Sequence, residues 1–176
     1  MIGRKEAAQL CAVLLVFIIL MMALSAAARA ESYSPYVVSH LPTAEPAFCA
    51  DTQAEWNADP EGGSGVLAYT YIRGPRLHEI HISPEVCSGL LHPGKNRAFA
   101  SAAQTVYHEW VHAYFLEDDG KEEGNAECIS LFFYRYALQH FWGLSASVAQ
   151  ADYNMAWSEH VDLGLLYPAY KGTCSK

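Results

Sequence analysis

The sequence predicts an α+β domain in which a small antiparallel sheet packs on three successive helices. Two observations carry that expectation. Short runs rich in β-branched and aromatic residues, Val66–Ile72 and Leu77–Ile82, are divided by a turn at Gly74-Pro75. From Arg97 onward apolar residues instead recur every three or four positions, the period of a helix that buries one face. A sheet-forming stretch followed by a block of helices is an α+β outline, not the alternation of a parallel α/β sheet.

Taken in order, residues 1–30 read as a targeting segment. Arg4 and Lys5 give a positive start, Leu10 to Leu24 carries no charge, and the small residues Ala28-Arg29-Ala30 match a signal-peptidase site. A retained membrane anchor is the rival reading, because the uncharged stretch 7–28 can span roughly 30 Å of hydrocarbon as a helix. Both readings place residues 31–176 outside the cytoplasm, secreted or held at a membrane. Cysteine usage agrees with export. Cys49, Cys87, Cys128 and Cys174 form an even set there, so two disulfides are expected, with Cys49–Cys87 and Cys128–Cys174 favoured among three possible pairings. No C-x-x-C pair exists, which argues against a four-cysteine zinc site.

Residues 31–65 carry Pro35, Pro42, Pro46, Pro60 and a glycine-rich turn at Gly62-Gly63-Ser64-Gly65, and read as an irregular lead-in. The domain proper is expected over 66–176. Its two strands should form an antiparallel ribbon, the second ending at Pro84. A first helix is expected from Arg97 to about Phe115, where apolar residues recur at Phe99, Ala103, Val106, Trp110 and Tyr114 with helical spacing. A second runs from about Glu122 to Phe141, where Gly143 stops it, and Ser145 can cap a third that continues through Asp162.

Charge removes one class of function. The chain has a net charge of −8, and past residue 30 it holds 8 basic against 18 acidic residues. Binding of a phosphate backbone needs clustered Lys and Arg, so no nucleic-acid partner is expected.

The chemistry lies in the first helix, at His108-Glu109-Trp110-Val111-His112. Residues four apart share one helix face, so both imidazoles can converge on one metal ion. Glu109 is placed to reach a water at that metal instead of the metal itself. For this composition roughly 0.03 such patterns are expected by chance. Zinc suits two nitrogens and a carboxylate, and lowers the pKa of its water to about 7. The second helix offers two candidate carboxylates, Glu123 and Glu127, which share a face with each other and with Ser130. Spacing mildly favours Glu127 as the third ligand, because a longer connection from His112 strains the turn less.

His108-Glu109-x-x-His112 followed by a helix bearing Glu123-x-x-Ala126-Glu127-Cys128 resembles the gluzincins, zincin metallopeptidases whose later helix carries E-x-x-x-D. The resemblance covers about residues 77–130. It implies a zincin-like fold holding one Zn2+ ion through His108, His112 and Glu123, with Glu127 supporting a ligand histidine and Glu109 acting as general base. Glu127 replaces the usual Asp, and only ten residues separate His112 from Glu123. By the same resemblance the strand Leu77–Ile82 would be the edge that pairs with a peptide substrate, and His160, Tyr167 or Tyr170 could donate to an oxyanion.

The remaining polar features have plain readings. His78 and His81 should point to opposite faces of their strand as ordinary histidines, and His140 should pack among aromatics. The acidic run Glu117, Asp118, Asp119 and Glu122 reads as a solvated loop; it lacks the spaced oxygens of a calcium loop. The expected function is therefore an exported zinc-dependent hydrolase, specifically a metallopeptidase acting on a peptide or protein substrate. The alternative is a zinc-binding structural or interaction module without turnover.

Overall fold

A computed structural model describes residues 31–72, 74–115, 123–166 and 174. The targeting segment, the acidic run at 117–122, Tyr167 and Tyr170 lie outside the described residues. The described chain contains four strands, β1 (Glu31–Tyr33), β2 (Ala47–Ala50), β3 (Ala68–Thr70) and β4 (Ile80–Ile82). Its helices are α1 (Pro35–Val38), α2 (Gln53–Ala58), α3 (Pro84–Leu90), α4 (Arg97–Phe115), α5 (Glu123–His140) and α6 (Ala146–Leu166). The class is α+β, and the three long helices fall where the apolar period places them.

The sheet departs from expectation. Its order is β1-β2-β4-β3. β3 and β4 do form an antiparallel ribbon, with Tyr69 opposite His81, but β2 runs parallel to β4 and antiparallel to β1. The sheet is mixed, because residues 31–65 are not an irregular lead-in and supply half of its strands. Two of the prolines there are built into the start of an element. Pro35 occupies the first turn of α1 behind the N-cap Ser34, where its missing N–H costs nothing, and the carbonyl of Pro46 accepts from Ile80 as β2 begins. Thr52 and Glu55 close a reciprocal capping box on α2.

β4 is shorter than the predicted strand. Gly74–Arg76 turns as a 3-10 helix and His78 sits at φ +68°, a left-handed conformation that ends any strand before Ile80. The unforeseen helix α3 follows directly. Ser83 caps it, Pro84 opens it and Glu85 stands in its first turn, all favourable starts, but seven residues are too few to display a periodic stripe.

α4 is the axis of the domain, packed against α3, α5, α6 and the sheet. Phe99, Val106, Tyr107, Trp110 and Val111 are buried along it, and Ile80 and Ile82 meet it from β4 with no exposed surface. α3 approaches α4 so closely that a Cβ on Gly89 would lie 2.8 Å from the Ala102 Cβ and 2.9 Å from the Ala98 carbonyl oxygen. Only glycine fits that contact. Disulfides pair Cys49 with Cys87, tying β2 to α3, and Cys128 with Cys174, tying α5 to the C-terminal tail. These are the expected pairs. Closing sequence separations of 38 and 46 residues restricts the unfolded chain by about 4 kcal/mol each. Two disulfides are compatible with an extracytoplasmic location. Among the described residues no helix is long and apolar enough to cross a membrane.

Candidate metal centre

α4 and α5 run antiparallel. His108 meets Glu123 and Glu127, Gln104 meets Ser130, and the Ala100 carbonyl accepts from Tyr134. This pairing directs both glutamates of α5 at the histidines of α4. His108, His112 and Glu123 form a group whose candidate ligand atoms all lie within 4.8 Å of one another. Nε2 of His108 is 3.1 Å from Nε2 of His112 and 2.9 Å from Glu123 Oε2, and the remaining edge is 3.4 Å. Ligands at about 2.05 Å from a tetrahedral ion stand about 3.3 Å apart, so the triangle has the size of one face of a zinc coordination sphere.

The hydrogen bonds make the same point chemically. His108 Nδ1 lies 2.9 Å from Glu127 Oε2, and a carboxylate there accepts the ring N–H. That tautomer leaves Nε2 with a lone pair facing another carboxylate and another imidazole. Three electron-rich atoms converge, which is stable only around a cation or a shared proton. The two histidines are almost fully buried, whereas the Glu123 side chain is one-quarter exposed and marks the open side.

Without a metal, the field of the site shows in its ionisation. Burial disfavours a charge on His108, but Glu123 and Glu127 outweigh it and hold the imidazole pKa at about 10. Burial likewise opposes charge on the carboxylates. The histidines prevail and hold Glu123 below its usual range, and the hydrogen bond from His108, with His160 close by, brings Glu127 to about 2. The cluster demands a positive charge. A divalent cation and protons therefore compete for it, and metal affinity should fall as pH falls.

Glu109 is held differently. Burial raises its carboxyl pKa, opposed by His108, His112 and a hydrogen bond from Thr70. Thr70 Oγ1, at the end of β3, is 2.9 Å from both the Oε2 and the backbone carbonyl of Glu109. One hydroxyl thereby links the sheet to the helix at the residue expected to act as base.

The structure thus brings together His108, Glu109, His112, Glu123 and Glu127, with Glu123 in the ligand group and Glu127 behind His108. His160 is close but faces Glu127, its Nδ1 3.5 Å from Oε1, so it supports the centre from behind instead of the open side. His78 bonds the Ala113 carbonyl, and His81 is buried in a stack between Phe48 and Tyr69 with Arg76 and Glu79 as polar partners. His140 is exposed and stacked on Tyr136. The strand expected as a substrate edge is not one. β4 lies between β2 and β3, so β3 is the edge beside α4.

Sequence reasoning missed Thr70, Gln104 and Glu159. Gln104 is a polar residue one turn before His108, and its amide donates to Ser130, whose own hydrogen goes to the Glu127 carbonyl. A polar residue in an apolar stripe was the available signal. Thr70 and Glu159 gave none. A cleft of about 370 Å³ opens beside the centre, walled by Gly65–Ala68 on one side and by α4 from Ser101 to Glu109 on the other, with Glu127 and Glu159. Comparison with protein-family models, curated proteins and solved structures finds no match for the chain.

Proposed function

We infer that the protein is an exported zinc-dependent metallopeptidase of the gluzincin type. The observation that carries this is Glu109: a buried carboxylate directly after a ligand histidine, oriented by Thr70 beside the His108–His112–Glu123 group. The donor set of two imidazoles and one carboxylate fits zinc with one coordination position left for water or substrate. Zinc bound there would polarise a carbonyl and acidify a water. Glu109 would take the proton from that water and hand it to the leaving amine; its raised pKa suits both tasks. The peptide would pair with the outer edge of β3, beginning at Ala68, which lines the cleft.

A structural zinc module would use the same ligands, but it has no use for Glu109. Glu109→Gln separates the two readings. Metal content should stay at one zinc per chain while peptide hydrolysis falls by about 10³-fold or more, measured by metal analysis and cleavage of a mixed peptide library. Full activity in that variant would end the mechanism. Absence of chelator-sensitive cleavage in the parent protein would end the enzyme reading.

A further inference from the structure

The cleft beside the metal centre has a one-sided chemistry. Its polar lining includes Glu159, Gln104, Ser101, Thr105 and Glu127, and among the described residues no lysine or arginine lines it. Thr105 donates its hydroxyl hydrogen to the Ser101 carbonyl, so its oxygen is left to accept. The amide of Gln104 is oriented by Ser130, and its buried oxygen has no hydrogen-bond partner. Of these groups, Thr105 and Glu159 accept and the Ser101 hydroxyl can donate or accept.

Glu159 is the charge in this cleft that the metal centre does not use. Its side chain is only 19% exposed, and it is bound by Arg97, whose side chain is 76% exposed. Arg97 opens α4, three turns before His108, so Glu159 is reached from the end of the cleft away from the metal. A largely buried carboxylate held by a largely solvated arginine is a pair whose cation can be exchanged at small cost, because the arginine regains its hydration on leaving. A group reaching Glu159 from a peptide bond at the metal centre needs a long stem and several donors. Lysine and arginine side chains supply both, and the apolar Val66 and Leu67 wall suits their methylene stems.

We propose that this cleft is a specificity pocket for a basic residue next to the scissile bond, with Glu159 as its anion and Arg97 as an exchangeable internal occupant. This rests on the peptidase reading above. The test uses the full chain loaded with zinc and a peptide library in which the residues flanking the cleavage point vary. Basic residues on one side of that point should be favoured at least about tenfold over leucine, the scale of one charge-assisted hydrogen bond. Glu159→Gln should lower that ratio about tenfold. Arg97→Ala should raise it, because the competitor is gone, an opposite sign that damage to the fold would not produce. Cleavage with no basic preference, or a preference indifferent to both substitutions, overturns the proposal while leaving the peptidase reading intact. Absence of any cleavage overturns the peptidase reading. The pocket is then judged by binding of acetyl-arginine amide against acetyl-leucine amide in calorimetry, where equal affinities, or an arginine affinity unchanged by Glu159→Gln, overturn it.

Discussion

Glu127 and Asp152 are two buried carboxylates on neighbouring helices, and they behave in opposite ways. Glu127, 3% exposed on α5, faces His108 and His160 and has its pKa drawn down to about 2. Asp152, 0% exposed on α6, has neither oxygen in a hydrogen bond among the described residues, and burial pushes it up to about 6, against the pull of Lys95. Loss of water is common to both. Whether a carboxylate is an organised anion or a liability is decided by the donors that replace the water.

Removing the donor–acceptor pairing should have the largest effect. Glu127→Ala leaves His108 with one carboxylate fewer in a closed environment, and the metal-free protein should lose about 3–5 kcal/mol at pH 7 by urea denaturation. A loss under 1 kcal/mol would mean that His108 is not charged there.

The opposite change is expected at Asp152. Its folded pKa lies above the usual Asp value of 3.8, so its contribution is favourable below that pH and is lost as pH rises through about 6. Asp152→Asn should therefore stabilise the protein by about 1–3 kcal/mol at pH 7 and change little at pH 4. Equal effects at both pH values would show that the carboxyl finds a partner. For Glu127 the sign reverses. Its depressed pKa gives stability that is present above pH 4.5 and lost as pH falls toward about 2, so the metal-free parent should show acid unfolding that Glu127→Gln blunts.

Metal binding sharpens the contrast within the centre. On the proposed ligand set, Glu127→Gln should weaken zinc by about 10–100-fold, whereas Glu123→Gln should lose most of the affinity. Full affinity in both variants would move the third ligand elsewhere. The smallest effect belongs to Ser130→Ala, which frees Gln104 and the Glu127 carbonyl and should cost about 1 kcal/mol in thermal unfolding, with zinc affinity nearly unchanged.

What could be read in the chain follows the same division between local and tertiary causes. His108, Glu109 and His112 were legible because helical period alone puts two imidazoles on one face. Glu123 and Glu127 were legible as a pair, but choosing between them required the packing of α4 on α5, which places Glu127 against Nδ1 and Glu123 against Nε2 of the same ring. β1 and β2 were invisible, since three or four residues carry no alternation long enough to count. The position of β4 inside the sheet depends on β2, so without β2 the sequence places β4 at an edge that it does not occupy. Thr70 and Glu159 join the site from 39 and 50 residues away from Glu109, a proximity that no local pattern encodes.

Gly89 acts as a shim. The gap it leaves sets how far α4 stands from α3, and the Cys87 link two residues earlier fixes α3 to the sheet through β2. Thr70 belongs to the sheet and Glu109 to α4, and the hydrogen bond between them tolerates only a few tenths of an ångström. A single added methyl at residue 89 would widen the gauge between the two bodies and disturb the Thr70–Glu109 hydrogen bond from another helix. The register of Glu109 against the sheet is thus calibrated remotely, by the thinnest side chain on a neighbouring helix.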